Sequence, residues 1–159
     1  MTAPVTPYTK YLDGREPLQV VRETIETIQR LTRDWTPDRF ERSYAPGKWS
    51  ARQVLIHLAQ TELALGSRAR MALSTPGYVA QPFDQDQWIP FDANLGGREA
   101  ADAFVATARM NLACFASLSD AQRAVGFSHP EYGELTVDWV IHQMAGHHVN
   151  HLRQLEHIT

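Results

Sequence analysis

Apolar residues recur three and four positions apart along four long segments of this chain. The segments run from about Glu16 to Trp35, from Ser50 to about Leu73, from about Arg98 to Ser117, and from Thr136 to Thr159. In the first segment, Leu18, Val21 and Ile25 follow this spacing, which places them on one face of an α-helix. Each apolar face needs a partner that shields it from water, and no run of residues predicts a convincing strand. The pattern therefore predicts an all-α four-helix bundle.

Residues that favour helix starts stand at the beginnings of several segments. Ser50 and Thr136 are suitable N-caps for the second and fourth helices, because a side-chain oxygen there accepts a hydrogen bond from a free backbone N–H. Thr36, which precedes a proline, predicts a short extra turn of helix, and Ser119 predicts another. The long helices are therefore expected to begin close to these positions.

Two connections lack helical periodicity. The segment Tyr78–Gly97 is long, and we expect it to be a solvated connection, with a loop that covers a functional site as the alternative. The shorter sequence HPEYGEL, which begins at His129, predicts a loop or a tight turn. Neither segment changes the predicted all-α class.

Length, composition and charge narrow the class of protein. The chain has 159 residues, of which 43% are apolar and 21% charged, as expected for one globular domain spanning residues 1–159. A net charge of −3 provides no basic field, so neither nucleic acid nor an anionic membrane is an expected partner. The N-terminus lacks the layout of a signal peptide, and no apolar run is long enough to span a bilayer. The single cysteine, Cys114, is expected to be an inert core thiol, and we expect a cytoplasmic protein.

The last helix carries an unusual cluster of histidines. His147, His148 and His151 fall on its apolar stripe, whereas His142 and His157 fall on the opposite face and are expected to be exposed. A buried imidazole without partners costs roughly 1–3 kcal/mol for each unpaired polar group, so these rings either have partners in the core or bind a metal. His147 and His151 are four residues apart and form the better chelating pair, while His148 with His151 remains an alternative.

The second helix contains two further candidates. Its surface is apolar on so many sides that periodicity does not direct His57 toward the last helix, although a histidine in the sequence VLIHL is expected to be at least half-buried. Glu62 lies close to the apolar side and could orient a metal ligand, although a partly exposed carboxylate is the commoner case. A third ligand for the pair on the last helix should come from another helix.

Two segments resemble a known family. Gly47–Glu62 opens with Trp-Ser and then carries a histidine before Leu-Ala and a glutamate, which resembles the second-helix signature of the DinB/YfiT-like superfamily. His129–Ile158 resembles the last long helix of that family. The matching positions in this second segment are Gly133, Thr136, His147, His151 and Gln154.

The resemblance implies a four-helix bundle with one long crossover and a divalent metal, most often zinc or nickel, held by His57, His147 and His151. Three histidines would leave an open coordination position for water or substrate. Related proteins are thiol-dependent transferases and metal-dependent hydrolases. The implied function is that of a metal-dependent enzyme on small molecules, either an S-transferase that uses a low-molecular-weight thiol or a hydrolase. The resemblance also implies a homodimer. The alternatives are a non-catalytic helical dimer and a stress-response module that binds a hydrophobic ligand.

Overall fold

The computed structural model describes residues 3–158 and is built mainly of helices. The helices are α1 (Pro17–Thr32), α2 (Pro37–Phe40), α3 (Ala51–Ser74), α4 (Gln85–Trp88), α5 (Gly97–Ala116), α6 (Asp120–Arg123) and α7 (Val137–Glu156). Two short strands, β1 (Gly126–His129) and β2 (Gly133–Thr136), and two 3-10 turns, Thr9–Tyr11 and Ile89–Asp92, accompany them. Within residues 3–158, none of the helices combines the length and the apolar character that crossing a bilayer requires. The four long helices confirm the predicted all-α bundle.

The four long helices form the corners of the bundle. Helix α1 packs against α5 and α7, and α3 packs against the same two helices, so α1 and α3 occupy opposite corners. The chain therefore crosses the bundle between α1 and α3, and again between α5 and α7. This order brings α3 and α7 side by side, although they are far apart in sequence.

The predicted helix starts are confirmed. The Ser50 hydroxyl accepts a hydrogen bond from the Gln53 backbone N–H at 3.2 Å, and the Gln53 side chain accepts one from the Ser50 N–H at 2.9 Å. Thr136 caps α7 by accepting from the Trp139 N–H at 3.1 Å. Thr36 and Ser119 likewise cap the short helices α2 and α6. These bonds, which are reciprocal at Ser50 and Ser119, satisfy donors of the first turn that have no partner within the helix.

The prediction that the chain has no strand is wrong for the segment before α7. Strands β1 and β2 pair in antiparallel register, with Phe127 opposite Leu135, and both side chains are buried in the apolar core. The turn between the strands ends at Gly133, whose φ of +71° favours glycine. Each four-residue strand contains only one large apolar side chain, Phe127 or Leu135, so its sequence shows no alternation of apolar and polar positions.

The long connection between α3 and α5 is mostly exposed, as expected, but it contacts the bundle at a few positions. It contains α4 and a 3-10 turn, and Ile89 within it is buried. The Gln60 side-chain amide, on α3, donates hydrogen bonds to the Trp88 carbonyl at 2.8 Å and to the Asp92 carboxylate at 2.6 Å. The buried Ile89 side chain and the Gln60 hydrogen bonds therefore hold this connection against the bundle.

A buried chain of polar side chains joins all four long helices. His148 on α7 lies with Nε2 2.5 Å from the Glu62 Oε1 on α3 and with Nδ1 3.1 Å from the Thr24 Oγ1 on α1. Asn111 on α5 donates to the Glu62 Oε2 at 2.8 Å, and Arg70 donates to the Asn111 Oδ1 at 2.7 Å. Glu62 is only 1% exposed, so the expectation of a partly exposed carboxylate is wrong. Its partners are His148 and Asn111 rather than a clustered histidine.

Three other expectations concern single side chains. His157 is exposed, as predicted, but His142 is buried with 9% of its surface exposed, so that prediction is wrong. Its ring folds back along α7 and donates from Nδ1 to the Asp138 carbonyl at 2.9 Å, which satisfies one nitrogen without solvent. Cys114 is half-buried and packs at the edge of the core around Phe115.

We expect Asn111→Ala to lower the free energy of unfolding by about 2–3 kcal/mol, because the buried Glu62 carboxylate would lose the amide that donates to its Oε2. Urea unfolding at pH 7 measures the effect. Asn94→Ala, at an exposed position, is the control and should change the value by less than about 0.5 kcal/mol. Equal losses of unfolding free energy in the two variants would contradict a structural role for the buried hydrogen-bonded side chains.

Candidate metal centre

Three histidines from two helices meet inside the bundle. His57 comes from α3, and His147 and His151 lie one turn apart on α7. The Nε2 atom of His147 is 2.9 Å from that of His57 and 3.0 Å from that of His151. All three side chains are at most 5% exposed, and one nitrogen from each falls within 4.8 Å of the other two. The structure thus brings together the three residues that the family resemblance implied.

His148 is not part of this cluster. One residue along a helix turns the side chain by about 100°, so His148 faces away from its neighbour His147. Both of its ring nitrogens lie within hydrogen-bond distance of other groups, Thr24 and Glu62. The alternative pair, His148 with His151, therefore does not converge.

Burial keeps the three clustered rings neutral. It lowers the pKa of His57 to about 3, with a further contribution from His151. It lowers the pKa of His151 to about 4 and that of His147 well below its usual value. At neutral pH each ring therefore keeps a nitrogen lone pair, which is the form of histidine that binds a metal.

Hydrogen bonds fix the orientation of one of the three rings. The Oε1 atom of Gln154 accepts from the Nδ1–H of His151 at 2.7 Å, and the Gln154 amide donates in turn to the Tyr44 hydroxyl at 3.3 Å. The Nε2 lone pair of His151 is therefore directed at the other two histidines. The Nδ1 atoms of His57 and His147 are buried and have no partner in residues 3–158.

The donor set fits a divalent metal ion. Lone pairs directed at one point repel each other unless a cation or a proton lies between them. Nitrogens bound at 2.0–2.1 Å to one tetrahedral ion are about 3.4 Å apart, close to the 2.9 and 3.0 Å that separate these nitrogens. A divalent ion is therefore the partner that this cluster accommodates, and imidazole is a usual ligand of zinc and nickel.

Two neighbouring cavities reach the cluster. The larger, about 400 Å³, is lined by His57 and His147, and the smaller, about 370 Å³, is lined by His151. Gln85 and Asp86 of the long connection line both cavities. Part of the exposed connection Tyr78–Gly97 thus also borders the cluster, as in the alternative considered for it.

The N-terminal segment also reaches the cluster, which the sequence did not predict. The Tyr8 ring stands edge-on to His147 with 5.2 Å between ring centres, and Tyr8 lines both cavities. A Cβ atom on Gly146 would lie 2.5 Å from the Tyr8 carbonyl oxygen, so glycine is required there. The Trp139 indole N–H holds the segment by donating to the Val5 carbonyl at 3.1 Å. A glycine inside the helix, next to His147, was the available sequence signal.

Comparison with known proteins identifies the family. The model of the DinB superfamily matches residues 21–155, which is most of the chain. The chain belongs to the DinB superfamily. The resemblance noted at Gly47–Glu62 and His129–Ile158 is therefore confirmed.

Relatives of this DinB-superfamily protein occur among bacteria. A protein of Oceanobacillus iheyensis, named as a presumed metal-dependent hydrolase, is 28% identical over 155 residues, covering 92% of this chain and 88% of the relative. YfiT of Bacillus subtilis, which bears the same designation, is 25% identical over 150 residues, covering 87% of this chain and 81% of its own.

Solved structures share the fold. YfiT, described as a probable metal-dependent hydrolase with an unusual four-helix bundle topology, matches with a TM-score of 0.75 and 20% identity, over 98% of this chain and 90% of its own. A mycothiol-dependent maleylpyruvate isomerase matches with a TM-score of 0.72 and 15% identity, over 95% of this chain and 63% of its own. The crossed four-helix bundle is therefore shared with both proteins.

We expect the protein purified without added metal to contain close to one divalent ion per chain, and His57→Ala and His151→Ala to contain little, because each variant removes one of three ligands. Elemental analysis measures the content. His157→Ala, at an exposed position on the same helix end, is the control and should retain the metal. Unchanged metal in both cluster variants would exclude these side chains as ligands.

The metal-free protein should lose stability as the pH falls below about 6.5, the pKa of histidine in the unfolded chain. The pKa of about 3 at His57 and of about 4 at His151 means that only the unfolded state takes up protons between pH 6.5 and 5. His57 and His151 should then each lower the free energy of unfolding by about 2 kcal/mol at pH 5 relative to pH 7.5. Urea unfolding in the presence of a chelator measures this loss.

The control for this pH effect is His57→Gln, which should lose less stability over the same pH range because it lacks one of the buried rings. A stability that stays constant from pH 7.5 to 5 in the wild type would show that the clustered rings titrate normally.

Proposed function

We propose that the protein is a metal-dependent enzyme, with His57, His147 and His151 as the metal ligands and a small molecule as the substrate. Three buried, neutral imidazoles that converge at the wall of a cavity of about 400 Å³ carry this proposal. Three protein ligands leave a divalent ion with a free position, which is typical of catalytic rather than structural sites. The designation of relatives as metal-dependent hydrolases supports the same conclusion.

Hydrolysis of a small substrate is the reaction that we propose first, with zinc or nickel as the ion. A divalent ion held by the three histidines would lower the pKa of a bound water to about 7 and would hold a thiol as its thiolate. Gln154 keeps the His151 lone pair directed at the site. Tyr8 lines both cavities, and its hydroxyl, whose pKa burial raises further above neutrality, could donate to a substrate oxygen.

Glu62 is not the general base in this proposal. Its carboxylate is buried away from the two cavities, neither of which it lines, and both oxygens already have partners in His148 and Asn111. A base must reach the proton that it removes, directly or through one water. Glu62 therefore cannot activate the nucleophile, and we assign that role to the ion that the histidine cluster would hold.

Transfer of a low-molecular-weight thiol to an electrophile is the second candidate, and the smaller cavity favours it. A hydrolase needs room for one organic substrate, whereas the cluster borders two cavities of similar size, about 400 and 370 Å³. His151 lines the smaller one and His57 the larger one, so each of two molecules could have its own cavity next to the cluster. The fold shared with a mycothiol-dependent enzyme is consistent with this use.

Chelation of the metal should reduce kcat/KM by about 100-fold or more on any ester or amide that a panel of small substrates identifies, since a bound metal contributes several kcal/mol to the transition state. Addition of zinc or nickel should restore the activity. His151→Ala should behave like the chelated protein and His157→Ala like the wild type. Activity that survives chelation would contradict a metal-dependent enzyme and favour the non-catalytic alternatives.

Cobalt-substituted protein separates hydrolysis from thiol transfer. With cobalt in place of the native ion, addition of a small thiol such as cysteine should produce a thiolate-to-metal charge-transfer band only if the site accepts thiols. An electrophile such as monochlorobimane should then be consumed in the presence of the thiol. Ester hydrolysis without such a band would favour the hydrolase.

Three expectations from the sequence accompany this proposal. The chain is expected to form a single domain over residues 1–159, to associate as a homodimer, and to reside in the cytoplasm. These stay predictions. Sedimentation of the metal-loaded protein tests the dimer directly.

A further inference from the structure

The larger cavity is lined by side chains in successive helical turns. On α3, His57, Thr61 and Leu65 lie four residues apart and therefore share one face. On α7, Trp139, Gln143 and His147 follow the same spacing. Trp49 at the start of α3 lines a cavity with Gln154 near the end of α7, so the two helices run in opposite directions. Each turn of α3 is thus paired with a turn of α7.

The layer next to the histidines is polar and lacks partners. Thr61 is 6% exposed, and its Oγ1 atom has no hydrogen-bond partner within the described part of the chain. The Oε1 atom of Gln143 is likewise buried and unpaired there. Four of the six buried unpaired side-chain atoms in residues 3–158 belong to residues that line this cavity. Buried polar groups normally have partners, so these groups are suited to a ligand that supplies them.

The next layer is apolar. Leu65 and Trp139 are buried and line the cavity one turn beyond Thr61 and Gln143. The indole N–H of Trp139 is already donated to the Val5 carbonyl, so its ring presents apolar surface. Pro82 and Phe83 line the same cavity from the long connection. This layer therefore suits a hydrocarbon or aromatic part of a ligand.

The outer layer contains a cation that has no carboxylate at ion-pair distance among residues 3–158, although Glu131 is near enough to act on it electrostatically. Arg68 lies one turn beyond Leu65, its guanidinium donates to the Gln81 carbonyl at 2.5 Å, and it stands 5.8 Å from the Phe83 ring centre. None of the ion pairs formed by residues 3–158 includes Arg68. Two of its guanidinium nitrogens are therefore free to bind an anion in the cavity.

The other titratable groups around the cavity are compatible with an anion at Arg68. The Asp84 carboxylate caps α4 and accepts from the Asp86 and Gln87 N–H groups, which offset part of its negative charge. Asp86 and Glu131 are exposed to solvent, which screens them. His129 accepts from the Glu131 N–H at 3.1 Å through Nδ1, which leaves its Nε2 as the protonated nitrogen of a neutral ring.

We propose that this cavity binds an amphipathic small molecule, with a hydrogen-bonding group beside its reacting centre, an apolar middle, and a carboxylate or similar anion at the far end. Thr61 and Gln143 contact the first part, Leu65 and Trp139 the second, and Arg68 the third. His57 and Arg68 are eleven positions apart, which corresponds to about 16 Å along the helix axis. This inference rests on the proposed function, because the histidine cluster defines the reacting end.

Two hydroxamates of equal chain length test the proposal on the zinc-loaded protein. Suberic acid monohydroxamate carries a carboxylate at the end opposite its metal-binding group, whereas octanohydroxamic acid ends in a methyl group. Calorimetry should give about tenfold tighter binding for the carboxylate compound, and Arg68→Gln should abolish this difference. Arg22→Gln, an exposed position on α1, is the matched control and should retain it.

In the polar layer, a Thr61 variant distinguishes a contact with the ligand from a structural role by its separate effects on affinity and stability. Thr61→Val should weaken both hydroxamates by about 3–10-fold, since it removes a hydroxyl that bonds to the ligand. The same change should leave the metal-free protein as stable or more stable, because the hydroxyl has no partner there. Loss of stability together with unchanged affinity would show that Thr61 supports the fold instead, and would overturn its assigned contact.

The outcomes separate this inference from the proposed function. If the loaded wild type binds octanohydroxamate but gains no affinity from the carboxylate, the amphipathic ligand is excluded and the metal enzyme stands. If the wild type takes up no zinc, the metal enzyme fails. The Arg68 effect is then measured on the metal-free protein with octanoate against octanamide, where an equal affinity of the two probes would overturn the anion subsite.

Discussion

The site depends on the orientation of α7 about its own axis, because this orientation decides which neighbour each of its histidines faces. Two adjacent histidines on that helix face different partners, and His148 is fixed between Thr24 on α1 and Glu62 on α3. Because neighbouring positions are about 100° apart, fixing His148 also directs His147 and His151 toward His57. The Glu62 carboxylate is itself held by Asn111 from α5. One buried polar chain thus orients the helix that supplies two of the three clustered rings.

The bundle could be predicted from local patterns, because amphipathic spacing and capping residues act within a few positions of the chain. Ser50 and Thr136 mark helix starts by bonds that reach only three residues ahead. The direction of His57 could not be derived in this way, since the surface of α3 is apolar on several sides. A family resemblance supplied it. The prediction that His142 is exposed was wrong, because a ring that bonds to its own helix can be buried even on the polar face.

The parts of the cavity that come from far along the chain were the least predictable. Tyr8 precedes α1 and reaches His147 because Gly146 lets the backbone of the N-terminal segment approach α7. Thr61 and Gln143 could have been found, since each is four residues from a clustered histidine and shares its face. Spacing of this kind identifies a cavity wall only when the pairing of the two helices is known. Sequence periodicity alone does not give that pairing.

Polar satisfaction divides the interior of the bundle into two regions with different roles. Around Glu62 and His148 the buried polar groups have partners, and this region stabilises the arrangement of the helices. Around the larger cavity the Nδ1 atoms of His57 and His147 and the oxygens of Thr61 and Gln143 have none within the described residues. Unpaired groups cost free energy in the empty protein, and a ligand that pairs with them recovers it. The free-energy cost of the unpaired groups around the larger cavity is therefore linked to the capacity of that cavity to bind a ligand.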